Sequence, residues 1–205
     1  MISVAKEHRG EIEILRPEEL ARVLNAAEPV LIPFLTIGAF AGLRHAELQR
    51  LDWSEVRLED GFIEVKAGKA KTASRRLVPI HDNLRKWLLQ HHKPQGPICP
   101  YANMSKQLLW LAEAVNEAWQ KENPPGKFEW KHNALRHSFI SYRVAETQNV
   151  AQVALEGGNS PKVIFSNYRE LVKPADATKW CSIEPETPAN VIAAPTLAAA
   201  VAAVG

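Results

Sequence analysis

Cysteine is scarce in this sequence: Cys99 and Cys181 are the two among 205 residues. Thiols that far apart make neither a disulfide scaffold nor a Cys-based zinc site, and they point to a reducing compartment rather than a secreted setting. Long apolar runs are missing as well. The longest uncharged one in the body, Val30 to Leu43, has 14 residues, short of the ~20 that a membrane-spanning helix needs. The start, Met1 to Glu13, is charged and lacks the apolar core of a secretion signal. These absences predict a cytoplasmic protein. Neither a Walker-type Gly-rich loop nor an internal repeat occurs, and His81, His91 and His92 make no recognised ligand spacing with carboxylates or cysteines. No metal site is expected.

What is present fits an ordinary globular protein, with 46% hydrophobic and 23% charged residues. The length predicts one domain with at most a short appendage. The net charge of +2 hides an uneven distribution. Residues 1–60 carry 7 basic and 11 acidic side chains, residues 61–100 carry 8 and 2, residues 101–170 carry 8 and 7, and the remainder 2 and 3. The positive charge is therefore one block. Taken alone, such a block is more often a solvated face than the footprint of a polyanion.

The pattern is mostly helical. Pro17, followed by Glu18 and Glu19, opens a helix over about 17–28 with Leu20, Val23 and Leu24 on one stripe. Val30 to Phe40 is apolar nearly all round and predicts a buried helix ending near Gly42, with a second helix from Arg44 to Leu51. Two β-branched segments, around Phe62 to Val65 and Leu77 to Ile80, flank the basic stretch Lys66 to Arg76 and predict a β-hairpin. Helical patterns resume at about 83–91, 104–121, 134–147, 149–156, 160–168 and 174–181, separated by Pro and Gly breakers. The six tryptophans fall within or beside these patterns and are expected to pack helices rather than stack on bases. From Thr187 to Gly205 there is no charge, and Ala, Val and Pro dominate, which predicts a loose tail ahead of the alternative, a segment that packs on an apolar groove.

Three segments put polar residues inside apolar helical patterns: "AGLRHAEL" with Arg44, "ALRHSF" with Arg136, and "GNSPKVIFSNYR" with Tyr168. A fully buried Arg is rare unless paired. One reading pairs Arg44 with Glu47 at i+3 and Arg136 with a distant carboxylate. The other puts both guanidinium groups, whose planar forks suit the task, on one phosphate. Tyr168, on the stripe of Val163, Ile164 and Phe165, reads on its own as a residue that caps the core with its hydroxyl in water.

Together these segments, in this order, resemble the catalytic domain of the tyrosine recombinase (phage integrase) family from about Leu15 to Ile183. The resemblance implies an α+β fold, mostly α-helical with a small antiparallel sheet. It makes residues 1–183 a catalytic domain and 184–205 an Ala/Pro-rich tail. Arg44 and Arg136 correspond to the two phosphate-binding arginines, Tyr168 to the nucleophile, and Glu47 to a brace at the helix start. In "GKAKTASRRLVPI", Lys71 matches the catalytic lysine, with Lys69 the rival. Two positions depart from the family pattern. Asn133 stands where the family usually has His, with His132 one place off and His137 just after Arg136, and Asn159 follows Gly158 where His or Trp is common. Either Asn can hydrogen-bond a phosphate oxygen but cannot carry a proton.

The implied activity is site-specific DNA cleavage and rejoining through a 3′-phosphotyrosyl intermediate, without cofactor or metal. Arg44 and Arg136 would stabilise the charged transition state, Lys71 would protonate the leaving oxygen, and His137 would orient or accept a proton. The implied partners are double-stranded DNA, met by Lys66, Lys69, Arg75 and Arg76, and further copies of the chain in a tetrameric synapse on the nucleoid. A non-catalytic DNA-binding relative and a type IB topoisomerase remain alternatives. Family members usually carry a helical core-binding domain first, whereas 16 residues precede Pro17. The expectation is a fragment or half of a DNA clamp.

Overall fold

The structure is a computed structural model that describes residues 12–66, 75–121, 127–168 and 172–186. Among these, helices dominate and the strands form one small antiparallel sheet, as expected. Helix α1 (Pro17–Ala26) starts at its proline, with Glu18 and Glu19 in the first turn. Pro29–Leu31 forms a 3-10 turn that feeds α2 (Ile32–Ala41), where every residue is buried. That matches a stretch with no polar face.

Gly42 ends α2 in a left-handed conformation at φ 64°. Two constraints require glycine there, because an added Cβ would also lie 2.1 Å from the Phe139 ring. The helix expected from Arg44 to Leu51 shortens to α3 (His45–Leu48). It stops because Leu51 turns away to accept a hydrogen bond from the Ile98 amide at 2.9 Å.

The hairpin expectation holds for β2 (Phe62–Val65) and β3 (Arg76–Pro79), which pair with Ile63 opposite Val78. A third strand, β1 (Val56–Arg57), precedes them and pairs with β2, giving the order β1-β2-β3. At two residues it is too short to leave an alternation in the sequence. The remaining helices follow as α4 (Asp82–Leu89), α5 (Met104–Lys121), α6 (Ala134–Thr147), α7 (Val150–Gly157), α8 (Pro161–Tyr168) and α9 (Pro174–Cys181). Among the described residues no helix is long and apolar enough to cross a membrane.

Two apolar clusters meet at α6. The larger gathers α1, α2, α4, α5, α9 and the sheet, and takes Leu135, Tyr142 and Ala145 from α6. The smaller takes Phe139, Ile140 and Val144 from α6 and packs them against Val153 and Ala154 of α7 and Ile164 and Tyr168 of α8. Each such large apolar side chain contributes about 1.5–3 kcal/mol when buried. The stripe on α8 is narrower than expected: Ile164 and Tyr168 are buried, whereas Val163 and Phe165 stay exposed. Of the tryptophans, Trp53, Trp87, Trp119 and Trp180 are buried as expected, but half of Trp110 is exposed.

Candidate active site

The turn after α2 sets the first cation. Arg44 sits in an extended conformation before α3, where its amide donates to Glu47 Oε2 at 2.9 Å and its Nη1 to Oε1 at 3.0 Å. His45 packs edge-on against Phe34, with ring centres 5.6 Å apart, and so anchors α3 on α2. The Glu47 side chain is 2% exposed. Burial alone would raise its pKa, but hydrogen bonds from Arg76 and Arg44, and the charge of Arg76, hold it down at about 2.

Arg136 enters from the first turn of α6. Among the described residues no carboxylate meets it. Instead Nη1 donates to the Gly42 carbonyl, and Nη2 donates to the Gly157 carbonyl at 2.7 Å and to Asn159 Oδ1. Burial, followed by the nearby charge of Arg44, lowers its pKa to about 10, so it stays protonated at neutral pH. Arg44 reaches the same turn from the other side, through Nη2 to the Gly158 carbonyl. Two arginines far apart in sequence thus converge on Gly157–Asn159, the exit of α7.

Tyr168, the last residue of α8, brings its hydroxyl to 2.7 Å from His137 Nδ1. Burial raises the Tyr168 pKa, with Arg136 opposing, so the phenol is protonated at neutral pH. Burial and then the charges of Arg136 and His132 lower the His137 pKa below 6.5, so its ring is neutral there. A protonated phenol beside a neutral imidazole is a donor and acceptor pair suited to proton transfer. The other two tyrosines are occupied elsewhere. Tyr142 stacks on Trp180 and donates to the Leu15 carbonyl, and Tyr101 donates to Glu28.

The structure therefore brings together Arg44, Glu47, Arg136, His137, Asn159 and Tyr168. Asn133 stands apart from this group. It caps α6 in a left-handed conformation at φ 54°, exposed, and its carbonyl accepts from the His137 amide. Asn tolerates that conformation better than most residues. Lys69 and Lys71 lie outside the described residues. Lys66 and Arg75 are exposed and paired, with Glu55 at 3.1 Å and Glu64 at 2.8 Å. Arg76 points inward, its fork on Glu47 with Nη1 at 2.9 Å from Oε1 and Nη2 at 2.7 Å from Oε2. Sequence reasoning grouped it with the loop cations, yet the signal for its direction was present. Arg76 shares the period-2 parity of Val78 and Ile80, both buried, while Leu77 faces out.

No family model matches the sequence, and no curated protein matches it. Solved structures do. The chain is similar to XerA recombinase at TM-score 0.61 and 18% identity, over 90% of this chain and 68% of that one. It is also similar to the integrase from mycobacterium phage Brujita at TM-score 0.56 and 15% identity, over 91% and 64%. The chain thus spans about two thirds of each. The fold is the tyrosine recombinase and integrase fold.

Proposed function

We propose that this chain cleaves and rejoins double-stranded DNA through a 3′-phosphotyrosyl intermediate, as the catalytic part of a site-specific recombinase. The observation that carries the reading is the convergence of Arg44 and Arg136 on one turn with the Tyr168 hydroxyl 2.7 Å from His137 Nδ1. Residues 1–183 form the catalytic domain, and 184–205 its tail.

The chemistry follows from the residue types. A phenol at its ordinary pKa of ~10 must lose its proton as it attacks. Tyr168 Oη attacks the phosphorus, its proton passes to His137 Nδ1, and the bond from phosphorus to the 5′-oxygen breaks. Lys71 supplies the proton that the leaving 5′-oxygen takes up. The products are a 3′-phosphotyrosine and a free 5′-hydroxyl, and attack by a 5′-hydroxyl of a partner strand reverses the step and joins the strands. Bond energy is retained, so no nucleotide cofactor is consumed. Arg44 and Arg136 stabilise the charge that grows on the non-bridging oxygens. One preorganised donor of this kind is worth roughly 2.7–4 kcal/mol of barrier. Asn159 acts through Arg136, which it holds, and Asn133 through the start of α6.

The test is a covalent trap on a pool of nicked duplexes, in which the short strand beyond the cut diffuses away. The expected result is a DNA adduct that survives boiling in detergent. A chain that binds duplex but forms no adduct would be a non-catalytic DNA binder. Efficient resealing without a partner duplex would make it a topoisomerase.

A further inference from the structure

We propose that Arg76 is a positioning residue: it neutralises and locks the Glu47 carboxylate, so that Arg44 and Arg136 face a phosphate with both their charges uncompensated. The inference rests on the phosphoryl-transfer reading for the identity of that anion. Without Arg76, Glu47 would stand as a buried anion against Arg44, which donates to it through both backbone and side chain. An anion beside a phosphate-binding arginine repels the phosphate and cancels the cation meant for it. Nearby charge matters most in such a buried setting, where water screens poorly.

Arg76 resolves that conflict by geometry. Its two terminal nitrogens take both oxygens of Glu47 in a bidentate fork, the strongest arrangement open to this pair. Its side chain is 10% exposed, so the fork is an interior feature rather than a surface pairing. The turn that carries the Arg44 partner is shaped around it. Gly158 has φ 63°, and a Cβ there would lie 3.1 Å from Arg76 Nε and 3.2 Å from its Cζ. Gly158 therefore gives room to Arg76 on one side and its carbonyl to Arg44 on the other. Because Arg76 begins β3, the same fork ties the strand that follows the basic loop to the brace of Arg44.

The test is the binding of inorganic phosphate by the full chain, followed by 31P NMR, with Arg44→Ala as the control that places phosphate at this site. Arg76→Gln is expected to weaken phosphate binding about tenfold. Glu47→Gln/Arg76→Gln, which removes the uncompensated anion too, is expected to bind within about twofold of the unaltered chain. A lost structural bridge would leave the double variant no better than the single one, and that result overturns the proposal. So would a lack of phosphate binding by the unaltered chain. If Arg76→Gln fails to fold, Arg76→Lys keeps the charge without the fork; it is expected to bind phosphate within about threefold of the unaltered chain, and a loss as large as that of Arg44→Ala would overturn the charge role. Phosphate binding requires no strand cleavage. A chain that forms no DNA adduct would refute the function above and leave this comparison decisive.

Discussion

The two faces of α6 differ in how firmly they are held. On one side α2, buried along its whole length, joins α1, α4, α5, α9 and the sheet in the larger cluster. On the other, two eight-residue helices, α7 and α8, close over a cluster of seven buried residues. The arginines are rooted on the first side and reach across to the exit of α7 on the second. Arg44 leaves the end of α2, and Arg136 is clamped by the carbonyl of Gly42. Tyr168 belongs to the second. An element with few buried apolar partners opens at lower free energy than one in the main core. The proposed phosphate clamp is thus rooted on the stiff side and the proposed nucleophile sits on the thin one, with the arginine bonds to Gly157, Gly158 and Asn159 and the hydrogen bond from Tyr168 to His137 joining the two.

The contrast can be broken from the stiff side first. Phe34→Ala removes a side chain that is 1% exposed, and a loss of about 3–5 kcal/mol is expected. A urea denaturation series reads it, and a shift below 1 kcal/mol would mean that α2 repacks freely.

Next comes the seam. The pKa of Glu47 is held at about 2 against an ordinary 4.5. Its folded value lies below its unfolded one, so its contribution of about 3 kcal/mol is fully present above pH 4.5 and is lost as pH falls towards 2. Glu47→Gln should flatten that limb of the acid-unfolding curve, and an unchanged limb would show that other carboxylates govern it.

On the thin side, Ile164→Ala is expected to cost about 2 kcal/mol, the low end for such a truncation. Adduct formation by the same variant should fall by a further factor of about ten at temperatures where the chain is folded, because Tyr168 loses its seat. Equal global losses for Phe34→Ala and Ile164→Ala would erase the distinction between the two sides.

The smallest effect lies outside both clusters. Arg75 is exposed, and Arg75→Ala should reduce the salt slope of DNA binding by about one unit without altering stability. A slope unaffected by this change would place Arg75 away from the duplex.

Much of this was legible before any coordinates. The apolar run before Gly42 predicted a buried helix, and the boundaries at Met104–Lys121 and Ala134–Thr147 follow from long, clear periodicity. The pairing of Arg44 with Glu47 could be read from i+3 spacing. Arg136 could not be, since two of its partners are the backbone carbonyls of Gly42 and Gly157, which leave no trace in side-chain chemistry, and the third, Asn159 Oδ1, lies 23 residues away. The inward turn of Arg76 was obscured by charge: a basic residue in a basic stretch reads as solvated unless its parity with Val78 is given more weight. Strand β1 and the short α3 were settled by tertiary hydrogen bonds, which a local pattern does not carry.

The central claim is that the thin side delivers Tyr168 as the nucleophile. The most direct test is to trap the DNA adduct, digest it with trypsin and nuclease, and locate the remaining nucleotide by mass spectrometry. The account predicts a nucleotide on the peptide Val163 to Arg169, at Tyr168, and no adduct from Tyr168→Phe at unchanged duplex affinity. A nucleotide on Tyr101 or Tyr142, or an adduct retained by Tyr168→Phe, would contradict it.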